Sequence, residues 1–287
     1  MAETQALTEP RVSRSRALSY HAVLCLASIA MLYPLLWMLA SSFKPESDIF
    51  SSGSLWPRSF SLEAYWRGWS GLQVSFGKFF LNSLLVSTCC VIGNVLSCSL
   101  TAYAFARLTF RGQKFWFALM LGTLMLPYHV TLIPQYILFL HLGWVDTFLP
   151  LIVPKFMAVD AFFIFLLVQF FRSIPRELDE AAMIDGCGPW RIYWTIILPL
   201  SLPALATAGI FTFIWTWDDF FGPLVYLNDM NSYTVQLGLR SFVDSTGKSD
   251  WGALFAMSTL TLLPVFAFFL FFQRLLIDGI ATTGLKG

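Results

Sequence analysis

Glu180-Ala181-Ala182-Met183-Ile184-Asp185-Gly186, followed by Ile196, Leu198 and Pro199, is the stretch on which the reading of this chain turns. It has the pattern of a short polar helix, a glycine turn and a second helix leading straight back into apolar sequence. Arg176, Glu177, Asp179 and Glu180 are charged, whereas the segments on either side are almost wholly apolar. In a chain otherwise made of membrane spans, such a polar helical insert is where a soluble partner would dock.

Working outward, Ile174-Pro175 is expected to open the insert, because proline at a first helical position gives up only an amide that has no intrahelical partner. Leu178, Ala181, Ala182 and Asp185 fall at i, i+3, i+4 and i+7, so they share one face that carries two very small side chains. Gly186 stands where a left-handed residue ends a helix. Gly188-Pro189 starts the next one, and Trp190, Tyr193, Trp194 and Ile197 give it an apolar face suited to the membrane surface. Pro199 and Pro203 mark the passage into the following span. Spacing alone leaves two readings open: an amphipathic hairpin that caps the bundle, or a docking element.

Composition places the chain in a bilayer. Of its 287 residues 57% are hydrophobic and 12% charged, with a mean hydropathy of +0.67, too little polar surface for a water-soluble globule of that length. The expected fold class is all-α integral membrane. Six segments reach the roughly 20 apolar residues a span needs: about Ala17 to Phe43, Phe79 to Phe105, Phe115 to Leu140, Phe148 to Phe171, Leu200 to Leu227 and Gly252 to Ile277. The first exceeds the apolar length of a cleavable signal peptide, about 7 to 15 residues, and is read as an uncleaved helix. A net charge of +1 and the lack of a long Lys/Arg cluster exclude a nucleic-acid binder. The five cysteines show no metal spacing and the three histidines are scattered, so no metal site is expected.

Orientation follows from Lys and Arg in the connections. Eleven lie in the N-terminal tail, the second and fourth connections and the C-terminal part, and six on the opposite side, with Lys155 inside a span. Both termini and the insert are therefore expected to be cytoplasmic. Residues 1–16 are expected to be a disordered tail, residues 17–287 a single transmembrane domain, and the insert about 172–199. The two long outside connections, from about Lys44 to Lys78 and from Asn228 to Asp250, are large enough to meet an external partner. No internal repeat is found, so the chain reads as half of a larger bundle.

The set Glu180-Ala181-Ala182, Gly186, Ile196, Leu198 and Pro199 resembles the "EAA" loop of permease subunits of bacterial binding-protein-dependent ATP-binding-cassette (ABC) importers. Several further stretches resemble the carbohydrate-uptake branch of that family. They include Tyr33-Pro34-Leu35-Leu36-Trp37-Met38, Thr101-Ala102-Tyr103-Ala104-Phe105-Ala106-Arg107, Leu126-Pro127 and Ser173-Ile174-Pro175-Arg176-Glu177-Leu178. Trp217-Asp218-Asp219-Phe220 with Pro223, and the ending Gly284-Leu285-Lys286-Gly287, belong to the same likeness. Within that branch the chain is similar to the six-helix permease of maltose-type importers.

The resemblance implies a type I ABC importer permease fold in a bacterial inner membrane. It also implies a second homologous permease, two copies of an ABC ATPase that hold ATP and Mg, and a periplasmic sugar-binding protein. Leu178, Glu180, Ala181, Ala182, Asp185, Gly186 and Pro199 would then couple to the ATPase. Gly284, Leu285, Lys286 and Gly287 would contact it as a tail, and the loop with Asp244 and Ser245 would face the binding protein. The family often has Asn after the tryptophan where this chain has Asp218, so substrate preference is not carried over.

Thr246-Gly247-Lys248-Ser249 looks like the end of a phosphate-binding loop, but the earlier glycine would fall on Phe242 and no strand precedes it. The chain is thus expected to be no enzyme and to hold no cofactor. Trp215, Asp218, Asp219 and Gly222 fall at i, i+3, i+4 and i+7 of the fifth expected span. Carboxylates within a bilayer are expensive and should face protein or water. With Trp217 and Asp160 they are candidates for a substrate path. Two alternatives stay open at this level: an ion pair between Lys155 and Asp219 that ties two helices together, or a membrane-embedded enzyme or ion channel using Asp160, Asp218 and Asp219.

Overall fold

The computed structural model describes residues 14–51, 53–243 and 249–284, among which there is no strand. The α-helices are α1 (Arg14–Ser41), α2 (Glu63–Ser70), α3 (Phe76–Arg107), α4 (Gln113–Thr123), α5 (Tyr128–His141), α6 (Leu149–Ile152) and α7 (Ala161–Ser173). The insert holds α8 (Glu177–Ile184), α9 (Pro189–Ile192), a π-turn (Tyr193–Ile197) and α10 (Leu198–Leu200). Then come α11 (Leu202–Trp217), α12 (Phe221–Tyr226), α13 (Val235–Arg240) and α14 (Trp251–Gly284).

Four stretches are long and apolar enough to cross a membrane: Leu18–Ser41, Phe76–Arg107, Leu149–Ser173 and Trp251–Arg274. A fifth is the pair Pro189–Leu200 and Leu202–Trp217, bent by 77°. The joint is Ser201, flanked by Pro199 and Pro203, which lack the amide an unbroken helix needs. The third expected span, Phe115 to Leu140, is not one helix. It breaks over 124–127, where Pro127 takes an extended backbone (φ −62°, ψ 129°) that its ring also favours for the residue before it. The fifth expected span, Leu200 to Leu227, also divides: α11 stops at Trp217 and the chain restarts as α12.

α1 already begins at Arg14, inside the stretch expected to be a tail. Residues 1–13, Asp244, Ser245 and Leu285, Lys286 and Gly287 lie outside the described residues, and Gly284 is the last residue of α14.

The 32 residues of α3 correspond to about 48 Å at 1.5 Å per residue, enough to pass the hydrocarbon layer and emerge. α3 packs against α11 and α7, and α14 packs against α11 and α2. Two cores form at opposite ends of this arrangement. One surrounds the C-terminal half of α3, with Tyr103, Phe163, Phe171, Ala182, Tyr193 and Ala208. The other surrounds its start, with Phe76, Phe79, Phe213, Trp217, Val235 and Met257. None of the most apolar window of α1 is buried.

The end remote from the insert is held by a charge cluster. The Arg67 guanidinium forks onto both oxygens of Asp250, at 2.9 and 3.0 Å, and lies 3.2 Å from Glu46. Glu46 accepts the N–H groups of Trp251 and Gly252 at 3.0 and 2.9 Å, and Asp250 that of Ala253 at 2.9 Å. These are the donors that a helix N-terminus leaves unpaired. Gly252 is required there, since a Cβ would stand 2.7 Å from Glu46 Oε2.

Burial pushes the Asp250 carboxyl up, but the Arg67 fork and the Ala253 amide outweigh it, so the group sits below its ordinary range. Its stabilising contribution is therefore complete above the unfolded value, about 3.9, and is lost as pH falls through the folded value. Asp250→Asn is expected to lower stability by about 1 kcal/mol at pH 7, a figure discounted for the partly exposed partners. The same variant should remove the acid-side loss of melting temperature, which a thermal scan of purified protein between pH 7 and 3 measures.

Candidate functional site

Between the two cores, α3, α11, α12 and the stretch before α7 enclose a cavity of about 150 Å³. Ser83, Lys155, Thr212, Trp215, Thr216 and Asp219 give it a lining of hydroxyls, charges and one indole. Neighbouring helices fix these groups in place. Asn94 Nδ2 donates to Thr212 Oγ1 at 2.8 Å, and Ser83 Oγ accepts the Val235 N–H at 2.8 Å.

The candidate path residues do not act as one face. Trp215 is 52% exposed and leans on Phe163 and Phe211, with ring centroids 5.2 and 5.7 Å away. Trp217 is 1% exposed and belongs to the core: it stacks on Phe213 and its indole N–H donates to Thr261 O at 3.2 Å. Asp218 is exposed and turned toward Gln236 of α13, 3.5 Å away. Asp219 accepts the Gly222 N–H at 3.2 Å, and a Cβ on Gly222 would come within 2.5 Å of its other oxygen. The i to i+7 pattern thus spans a helix break, with Asp219 capping α12 instead of continuing α11.

Lys155 pairs with Asp160 at 2.8 Å, both side chains about one-quarter exposed (28% and 27%). The bond lies within one expected span, across Ala158, whose left-handed backbone (φ 54°, ψ 43°) costs a non-glycine residue about 1 kcal/mol. Asp219 borders the same cavity as Lys155, and its described hydrogen bond is to the α12 backbone, so the Lys155–Asp219 tie is replaced by Lys155–Asp160.

The insert departs from a simple amphipathic helix. Pro175 lies two residues before the first residue of α8 instead of at that position, and Arg176 is the cap. At the other end Gly186 has φ +80°. Its N–H donates to Met183 O at 3.0 Å and that of Cys187 to Ala182 O at 2.9 Å, the paired bonds of a glycine-terminated helix. No atom lies within 4 Å of where a Cβ on Gly186 would be, so the glycine is needed for its backbone angle alone.

The face expected from Leu178, Ala181, Ala182 and Asp185 is split: Ala182 is buried against the bundle, whereas Leu178, Ala181 and Asp185 are exposed with Glu180. Ile184 is 86% exposed and Met183 55%. Pro199 lies in α10 at the bend. Asp179 joins Ala182 on the inner side, where it meets Arg107 of α3 at 3.2 Å. Spacing within the insert missed this pair; the signal available was an arginine closing an apolar span. Among the described residues no cluster of three or more His, Cys, Asp or Glu is placed to hold a metal.

A family model described as "binding-protein-dependent transport system inner membrane component" matches residues 93–282. A diacetylchitobiose uptake system permease protein, NgcG of Streptomyces coelicolor, is 34% identical over 255 residues, covering 88% of this chain and 84% of the relative. The trehalose/maltose transport system permease protein MalG of Thermococcus litoralis is 32% identical over 263 residues, covering 91% and 94%. A solved structure of a bacterial ABC transporter that imports the acidic polysaccharide alginate superposes with a TM-score of 0.82 at 22% identity, over 93% of this chain and 99% of that one; it shows a shared fold. By this family match and these relatives, the chain belongs to the binding-protein-dependent transport system inner membrane component family and is a transport permease rather than an enzyme.

Proposed function

We propose that this chain is one of two homologous permease subunits of an ATP-driven importer for a sugar or oligosaccharide in a bacterial inner membrane. The observation that carries the reading is α8, which turns Glu180, Ala181 and Ile184 outward while Asp179 and Ala182 hold it to the bundle. That is a helix built to be gripped by a soluble partner. Two ATPase subunits carrying ATP and Mg would receive it and its counterpart on the second permease. A periplasmic binding protein would deliver the sugar at the opposite end, where the loop containing Asp244 and Ser245 lies in sequence. The tail from Gly284 to Gly287 would reach the ATPase, with both termini cytoplasmic. The sugar class rests on the substrates named for the relatives.

Closure of the ATPase pair would move α8 and switch the bundle between inward-facing and outward-facing states. Trp215 offers an aromatic face and Asp219 a hydroxyl-accepting carboxylate beside the cavity, the two groups a sugar ring needs. An intramembrane enzyme or channel is less well supported, because Asp160 is held by Lys155 and Asp219 by the α12 backbone.

The reading is tested by reconstituting this chain with its partner permease and ATPase in proteoliposomes and measuring uptake of labelled maltose and diacetylchitobiose. Accumulation that needs both ATP and the binding protein supports it; flux without either overturns it. In that system Gly186→Val, which strains the backbone by about 1 kcal/mol and meets no atom, should assemble yet lower binding-protein-stimulated ATP hydrolysis about fivefold or more. Asp219→Asn keeps an acceptor for the Gly222 amide but loses the charge. It should leave assembly intact and reduce uptake about tenfold, whereas unchanged uptake removes Asp219 from the path.

A further inference from the structure

The insert is joined to the bundle by two bent or extended covalent links and by a row of side-chain contacts from α3. After α10 the chain turns by 77° at Ser201, and a π-turn precedes that joint. Before α8 the link from α7 runs through Ile174, which is extended (φ −72°, ψ 131°). α3, by contrast, is 32 residues without a proline, while α1, α5 and α14 each contain one.

Along α3, Ser99, Tyr103 and Arg107 stand at i, i+4 and i+8, a single stripe, and each uses its polar atoms on the insert or the link into it. Ser99 Oγ and Tyr193 OH share a hydrogen bond of 2.8 Å, and Tyr103 OH donates to Pro189 O at 2.8 Å. Arg107 Nη2 donates to the last carbonyls of the α7 end, Phe171 O at 2.7 Å and Ile174 O at 2.8 Å. Its Nη1 lies 3.2 Å from Asp179 Oδ2 of α8, with the two side chains 3% and 13% exposed. Further back on the same helix, Ser97 Oγ donates to Lys155 O at 2.7 Å, Asn94 holds Thr212, and Ser83 and Cys90 line the cavity. One unbroken helix therefore touches α8, α9 and the π-turn at one end and the cavity wall at the other.

We propose that Arg107, with Tyr103 and Ser99 above it, is the positioning residue of a clasp that makes α3 and the insert move as one body, so that motion imposed on α8 reaches the cavity through α3. This deepens the importer reading and rests on it. The clasp differs from a folding staple in what its loss does. Removing one member of a buried ion pair strands a charge, but replacing both by apolar residues of similar size is usually tolerated. Arg107→Met/Asp179→Met is thus expected to assemble while the rigid link is gone. Tyr103→Phe removes a single hydroxyl and should weaken the link less.

The experiment uses the reconstituted complex carrying Thr216→Cys as a reporter in the cavity wall. Alkylation of that thiol by N-ethylmaleimide is followed by mass spectrometry without nucleotide and after trapping with ATP and vanadate. With the clasp intact, the alkylation rate should change about fivefold or more on trapping. In Arg107→Met/Asp179→Met, ATP hydrolysis should persist while the change falls below about twofold, and Tyr103→Phe should lie between. A full response in whichever of these variants assembles overturns the clasp. Failure of both to assemble does so too, since the contacts would then serve folding alone. A reporter complex that binds ATP yet shows no response with the clasp intact would instead contradict the importer reading beneath it.

Discussion

A helix in lipid satisfies its own backbone but finds no water for its polar side chains, so each of those must meet a neighbour. α3 carries that constraint for the whole molecule. Asn82 reaches Asn231 O and Tyr233 O at 2.8 and 2.9 Å, Asn94 reaches Thr212, Ser97 reaches Lys155 O, and Arg107 reaches three segments at once. Each bond is worth only about 0.6 to 2 kcal/mol in a membrane. Together they fix α3 against α11, the stretch before α7 and the insert, and in doing so they place the cavity walls.

The same bonds divide the molecule by stiffness. Where polar partners converge, at the Arg107 clasp and at the Arg67 cluster over the N-terminus of α14, elements are held from several sides. Where proline or a left-handed residue interrupts a helix, at Pro127, Ala158, Gly186 and Ser201, the backbone itself provides a joint. The cavity lies beside one such interruption, Ala158, and beside the break after Trp217, so its polar wall is built in part from helix ends rather than from a continuous face. A path that must open and close is better made of ends, whose amides and carboxylates are available, than of an unbroken span.

Hydropathy and turn residues made much of this legible. Apolar runs located the four long apolar stretches and the bent pair that makes a fifth, and Gly186 was readable as a left-handed stop because the polar helix before it ends in a pattern that only glycine completes easily. Reading failed where a periodic pattern was extended across a break. Trp215, Asp218, Asp219 and Gly222 keep helical spacing in sequence, yet α11 ends at Trp217 and turns Asp218 away. Phe115 to Leu140 passes any hydropathy test, yet Pro127 takes an extended backbone and divides it into two helices. The Arg107–Asp179 contact is not legible for a different reason: the two lie far apart in sequence, and no local periodicity encodes a contact between the end of one span and the first turn of a distant helix.

The central claim is that α8 is the surface a cytoplasmic ATPase grips. Ile184, 86% exposed at the end of α8, provides the most direct test, through Ile184→Cys in the reconstituted complex treated with a short bifunctional thiol reagent. The account predicts a cross-link to the ATPase subunit whose yield changes when ATP and vanadate are added. A cross-link to the external binding protein, or none to any ATPase in a complex that still transports, would contradict it.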